Sequence, residues 1–321
     1  MATMTKAPAP KARAAAPEFE ELPVVESIPA EKIAIHAMGW LPDWPDIRDY
    51  TPEHEEIKPQ LTKLRIAKEL SAPKIPAVMD LRPWFSPIED QANLGSCTAN
   101  AAVGTLEYFE RRAFGRYLDA SRLFVYKVTR DLLGWHGDTG AFLRTTMAEL
   151  ALFGAPPEKY MPYVVSQFDV EPTAFQYTLA GDFKAVKYFR LDPPGTTPAV
   201  LLARIKTDLA AGIPAMFGFS VYSSYVQAHA TGAIPFPAPG DKCVAGHAIV
   251  VAGYDDTKQI KNEPNGPLTT GAFLIRNSWG TTWGDHGYGW LPYDYVLRSL
   301  ATDWWSILSM SWVDTGQFGL S

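Results

Sequence analysis

The sequence predicts an α+β protein, helical in its first part and β-rich in its second, and three observations carry that reading. From Ser96 onward apolar residues recur at three- and four-residue spacing. After Gly212 the pattern changes to short β-branched and aromatic runs bounded by Gly, Pro and Asn. No internal repeat interrupts this order. Two packed lobes of this kind leave a cleft between them, which is where ligands bind.

Residues 1–36 are rich in Ala, Pro and Glu without sustained periodicity and are read as a flexible leader. The stretch 38–52, MGWLPDWPDIRDYTP, sets Trp40, Leu41, Trp44, Ile47 and Tyr50 among Pro42, Pro45 and Pro52. So many large apolar groups need burial, so this stretch is expected to dock, and residues 37–75 are assigned as a pro-segment. A short polar helix is expected at about 53–70, before Pro73 and Pro76 break the chain.

The first long helix should begin after Ser96 as N-cap and bury Ala99, Ala102, Val103, Leu106 and Phe109. Further helices are expected at Ser121–Leu133, Phe142–Phe153 and Thr197–Ala211, the last with Val200, Leu201, Ile205 and Leu209 inward. Strands are expected from residues 214, 247, 271, 288 and 304, with an exposed loop at TKQIKNEPNGPLTTG. These elements divide a domain spanning 76–321 into a helical lobe at about 90–190 and a β lobe at about 191–321.

Composition narrows the function. With 47% hydrophobic residues, 20% charged residues and a net charge of -6, the chain fits a globular protein and lacks the clustered Lys and Arg of a nucleic-acid face. No apolar run reaches the roughly 20 residues of a membrane span. The first 30 residues hold no secretory h-region, so a cytoplasmic location is expected. Peptide or protein partners are expected instead. His36, His54, His136, His229 and His286 show no ligand spacing with Cys or carboxylates, so no metal or other cofactor is expected.

Two cysteines cannot form a disulfide framework, which directs attention to a nucleophile. Cys97 follows Gly95-Ser96 and starts the strongest helical pattern, where the positive end of the helix dipole favours thiolate. Gln91, six residues earlier, offers an amide donor for an oxyanion. His247 opens a strand in AGHAIVVAGYDD, where the backbone is held behind it. Asn277 ends a strand in FLIRNSWGTTWGDHGYGW, and its side-chain oxygen can fix an imidazole tautomer while Trp279 shields the bond. Each alone has a plainer reading: a small core cysteine, a loop glutamine, a backbone-bonded histidine, a turn asparagine. Their joint order points to Cys-His acyl transfer.

These motifs resemble the papain-like cysteine peptidases, in particular their bacterial, xylellain-like branch: Gln91 with Gly95-Ser96-Cys97, GHAIVVAGYDD at 246–256 and RNSWGTTWGDHGYG at 276–289. The resemblance covers roughly residues 76–315. It implies a two-lobe fold with a β-barrel-like right lobe and an endopeptidase in which Cys97 attacks, His247 is acid/base, Asn277 orients it and Gln91 holds the oxyanion. It further implies a substrate rail at Gly140, with Ala141, Phe142, Ala245 and Gly246 at the pocket for the residue preceding the scissile one. An apolar or aromatic side chain is expected there, since no acid is apparent in the motif. Leu94 and Thr98 stand where many relatives have Cys and Trp, so the usual disulfide is absent, and Cys97 and Cys243 are expected as free thiols. The N-terminal segment is expected to inhibit. A transglutaminase-like transferase, a peptide ligase or a non-catalytic peptide-binding module would carry the same residues.

Overall fold

A computed structural model describes residues 38–67, 75–310 and 313–314, with ten β-strands and seven α-helices among them. Besides the expected helices and strands it has β-strands within the first part and a short helix between late strands. The leader assigned to 1–36 lies outside the described residues. Strand β1 (Trp40–Leu41) and helix α1 (Lys58–Ala67) precede β2 (Val78–Asp80). The helical lobe then contains α2 (Cys97–Phe114), α3 (Arg122–Leu132), β3 (Ala141–Phe142), α4 (Leu143–Leu152) and α5 (Ala174–Ala180). The remainder runs β4 (Ala185–Arg190), α6 (Pro198–Ala210), β5 (Ala215–Tyr222), β6 (Cys243–Lys261), β7 (Leu268–Arg276), β8 (Tyr288–Pro292), α7 (Asp294–Leu297), β9 (Ala301–Met310) and β10 (Val313–Asp314).

Local chemistry explains the boundaries. Ser121 Oγ accepts from Phe124 N–H and Thr197 Oγ1 from Val200 N–H, so both predicted N-termini are capped by side chains. Pro198 occupies the first turn of α6, where its missing N–H costs nothing. In α6 Leu201, Ile205 and Leu209 point inward as expected, but Val200 is exposed because it lies off that stripe. Ser96 is the N-cap of α2 without capping it, because its Oγ bonds Tyr163 Oη at 2.6 Å and accepts from Asn100 Nδ2.

The main sheet follows the order β10-β9-β5-β6-β7-β8, with β2 added to β6 and β4 to β9. All its pairings are antiparallel, and among the described residues its ends do not join to close a barrel. β4 brings the sheet back before residue 191. The insert expected as a loop is instead mostly a hairpin, since Gln259, Ile260 and Lys261 pair with Thr270, Thr269 and Leu268. Alternation of side chains holds that register, with Ile260 and Thr269 buried between exposed neighbours.

The N-terminal stretch is only partly what its composition predicts. Trp40 is 6% exposed, and Ile57 and Leu61 of the region expected as a polar helix belong to the same core as the sheet. Trp44 and Ile47, by contrast, are 88% and 98% exposed, and Tyr50 is partly exposed. The chain here is held by charge rather than by apolar burial. Arg144 of α4 meets Asp49 through two hydrogen bonds of 2.8 Å, also bonds Asp43, and donates to Trp44 O at 2.7 Å. A bidentate guanidinium–carboxylate pair fixes both distance and plane, which one apolar contact cannot do.

Glu149 on α4 is fully buried, and neither carboxylate oxygen has a hydrogen-bond partner among the described residues. Burial therefore raises its pKa well above the ordinary 4.5. The folded state holds that proton more tightly than the unfolded chain does, so Glu149 weakens stability progressively as pH rises above about 4.5. Glu149→Met, of similar volume, should raise stability at pH 8 by about 1–3 kcal/mol and have no such benefit near pH 4. Thermal melts of both proteins across that range check this; an equal gain at both ends would disprove the burial argument.

Candidate active site

Cys97 is the first residue of α2, and the loop before it is clamped from both sides. Gly95 N–H donates to Asp138 Oδ1 at 2.9 Å, Asp138 accepts from Tyr126 Oη at 2.5 Å, and Gly140 N–H donates to that same Tyr126 oxygen at 3.1 Å. One carboxylate and one phenol thus fix the thiol loop relative to the expected substrate rail. Nothing in the sequence marked Asp138 or Tyr126 for this task. Their signal is tertiary: they stand on a loop and a helix that only packing brings together.

His247 lies within β6, opposite Phe219 of β5. Its Nε2 is 2.8 Å from Asn277 Oδ1, which also accepts from Ser278 N–H at 2.8 Å. An amide oxygen can only accept, so Nε2 carries the proton, and Nδ1 is the nitrogen turned to other business. Trp279 stacks on the imidazole at 4.6 Å between ring centres and 23° between planes, and is itself flanked edge-on by Trp283. His247 and Asn277 are both buried.

Gln91 reaches the same place through backbone pairing of the two motifs that flank it. Its N–H donates to Ser278 O at 2.9 Å, and Gly280 N–H donates to Glu89 O. Its side-chain oxygen accepts from Ser278 Oγ at 2.5 Å and its amide nitrogen donates to Leu94 O at 2.8 Å. The amide orientation is therefore set by protein groups, and one of its two hydrogens is engaged at the turn before Cys97.

The sulfur of Cys97 is covered. Gly39 N–H donates to it at 3.3 Å, and β1 pairs in parallel with β3, Trp40 opposite Ala141 and Leu41 opposite Phe142. Gly39 O accepts from Ala141 N–H at 2.8 Å, so the expected rail at Gly140, Ala141 and Phe142 is occupied by the chain's own residues. A Cβ at position 39 would fall 1.9 Å from Gly95 O, so only glycine lets the segment descend to the thiol. The Trp40 ring lies where a Cβ on Gly218 would stand, 1.9 Å from it, and the Trp40 carbonyl crosses Gly246. Of the expected pocket residues, Gly246 thus faces Trp40, while Ala245 stands beside it in β6.

Cys97 is 0% exposed. Burial pushes its thiol up to about 11, although backbone N–H groups of Ala248 and Gly39 pull the other way. The Ala248 contact also brings the sulfur to the residue next to His247. Cys243 is exposed, and both cysteines are free.

The structure adds an acid to this cleft. The Trp40 indole N–H donates to Asp303 Oδ2 at 3.1 Å, and Asp303 is fully buried beside Arg190. Burial pushes its carboxyl up to about 6, against the lowering by Arg190. Arg190 also donates to Asp43 O, and its N–H to Tyr50 O, so it holds the segment as well.

The fold recurs in known proteins. The family model described as papain family cysteine protease matches residues 75–296. An uncharacterized peptidase C1-like protein of Acanthamoeba polyphaga mimivirus is 31% identical over 280 residues, 84% of this chain and 86% of its own. Cathepsin K of Gallus gallus is 27% identical over 252 residues, 73% of this chain and 67% of its own. Among solved structures, xylellain, a cysteine protease from Xylella fastidiosa, is similar at 31% identity with a TM-score of 0.68, covering 87% of this chain and 98% of that one. With a helical lobe, an antiparallel sheet and a family match that spans most of the chain, this protein belongs to the papain family of cysteine proteases and is a cysteine peptidase.

Proposed function

We propose that the chain is an endopeptidase held inactive by its own N-terminal segment, with Cys97 as nucleophile, His247 as acid/base, Asn277 as the group that orients the imidazole and Gln91 as oxyanion donor. The observation that carries this reading is the segment itself: Gly39 lies on the sulfur and the following strand pairs with the rail at 141–142. A peptide-shaped ligand is thus already seated where a peptide substrate would lie.

In the open enzyme the Cys97 proton passes to His247, and the thiolate attacks the scissile carbonyl carbon. The resulting oxyanion would be held by the Gln91 side-chain amide and the Cys97 N–H. His247 returns the proton to the departing amine, leaving a thioester that water cleaves with His247 as base. Trp279 keeps water from the His247–Asn277 bond.

The segment opposes this in two ways. It fills the cleft, and by desolvating Cys97 it keeps the sulfur as thiol, the unreactive form. Because Ile57 and Leu61 are core residues, cutting the chain near Pro73 would remove part of the core together with the plug. A point change at Gly39 separates the two roles.

In the intact chain near neutral pH, iodoacetamide should modify exposed Cys243 before Cys97, with Cys97 slower by about tenfold or more. Gly39→Ala should reverse that order and raise turnover of a small peptide. Peptide mapping by mass spectrometry reads both rates; unchanged order and turnover in Gly39→Ala would make the segment a structural strap only.

In the Gly39→Ala background, Cys97→Ala should abolish turnover and Gln91→Ala should lower kcat by about 100- to 1000-fold. Asn277→Ala should act more mildly, since the imidazole remains. Steady-state kinetics with matched melting curves decide this, and a near-normal rate for Gln91→Ala would remove it from the reaction.

A further inference from the structure

We propose that Tyr126 of α3 is a positioning residue for peptide hydrolysis: one phenol oxygen on a rigid helix fixes both the carboxylate that grips the thiol loop and the amide at the start of the peptide-binding rail. The inference rests on the peptidase reading above.

The rail hangs from a loop with little shape of its own. Between α3 and β3 the chain turns through Gly134, Gly137 and Gly140, whose φ angles of +69, +78 and +72 lie in the left-handed region. Glycine makes these turns at low steric cost but leaves the backbone free to adopt others. A peptide lying on Ala141 and Phe142, as β1 does here, meets the sulfur at the right place only if that loop is held from outside. Misplacement by about 1 Å costs on the order of 100-fold in rate.

Helix α3 supplies the hold. Tyr126 and Arg130 stand one turn apart on the same face of it. Arg130 is fully buried, and its guanidinium donates to Gly137 O and Phe168 O at 2.5 Å and to Asp169 Oδ1 at 2.6 Å. Asp169 Oδ2 in turn accepts from Gly137 N–H at 3.1 Å. Gly137 is thus tied through both its backbone groups. The same guanidinium lies 4.2 Å over the Tyr126 ring, which sets the plane of the phenol.

Rail and thiol meet at the phenol oxygen. It accepts from Gly140 N–H and donates to Asp138 Oδ1. Asp138 belongs to the rail loop and reaches across it to accept from Gly95 N–H, two residues before Cys97. A carboxylate on a glycine-rich loop could turn away from that amide, and the Tyr126 hydroxyl prevents the turn. Burial and the Asp138 carboxylate raise the Tyr126 phenol above its ordinary 10, so the O–H remains a donor. Both cysteines are free, so no disulfide shares this work.

The test uses full-length Gly39→Ala protein with and without Tyr126→Phe, which removes one oxygen and keeps the ring beneath Arg130. Two reagents compete for Cys97, and peptide mapping by mass spectrometry counts the adducts. Iodoacetamide needs only the thiol, whereas a dipeptidyl chloromethyl ketone must also lie along the rail. The ratio of ketone to iodoacetamide adducts is independent of the fraction of enzyme that is open. Tyr126→Phe should lower that ratio by about tenfold, while the iodoacetamide rate and the melting temperature change little. Asp138→Ala should lower it at least as far, and adding Tyr126→Phe should then lower it no further, because the two side chains act as one unit. An unchanged ratio, an equal loss with both reagents, or losses that simply add would each overturn the assignment. If Cys97 of the Gly39→Ala protein takes iodoacetamide but never the ketone, the peptidase reading itself has failed and this inference falls with it.

Discussion

Helix α2 is buried on every face along its first fourteen residues, Cys97–Glu110, and the other parts of the molecule are arranged around that fact. A helix with no solvent face must satisfy its polar side chains internally. Glu107 accepts from Ala120 N–H at 3.0 Å, and burial pushes its carboxyl up to about 8. Gly104 leaves room for the guanidinium of Arg276, which ends β7 just before Asn277. Arg276 donates to Ser86 Oγ and to Pro87 O. Thus the helix that presents Cys97 and the strand that presents Asn277 are keyed to each other by one buried cation, and the relative position of thiol and imidazole follows from core packing.

The same burial makes the cleft easy to silence. A helix N-terminus normally favours thiolate, but that effect is worth about 1 kcal/mol, whereas desolvation of a fully buried group moves a pKa by several units. Gly39 lies over the sulfur, and in the proposed inhibition it would tip that balance toward the thiol. Its attachment is largely ionic: Arg144 and Arg190 hold Asp43, Asp49 and the backbone around them, and Trp40 is sunk in the cleft. The segment thus combines one apolar anchor with a largely buried pair of Asp49 with Arg190 and a half-buried pair of Asp43 with Arg144.

Much of this was legible in the sequence. The period of apolar residues located α2, α3, α4 and α6 to within a residue or two, because each buries one stripe or more against the core. Strands β5, β7 and β8 were equally plain. Cys97, Gln91, His247 and Asn277, the residues proposed to act, stand out because each sits in a short run whose local chemistry is visible: a helix start, a strand start, a strand end.

What only the tertiary structure decided depends on contacts between distant residues. Sequence composition called for burial of Trp40, Trp44 and Ile47 alike, yet only Trp40 has a pocket, because Gly218, Gly246 and Asp303 come from three different strands of one sheet. The exposed pair is tolerated because Arg144 supplies the anchoring that hydrophobicity would otherwise have to provide. Asp303, Asp138, Tyr126 and Arg190 carry no local signal at all, since a carboxylate or guanidinium gains its role only when burial and a partner across the chain fix which atoms it can meet. The sequence alone determined which residues could do the chemistry and which segments would fold as helix or strand; packing decided which of them touch, and hence that the thiol of this chain is covered by its own glycine.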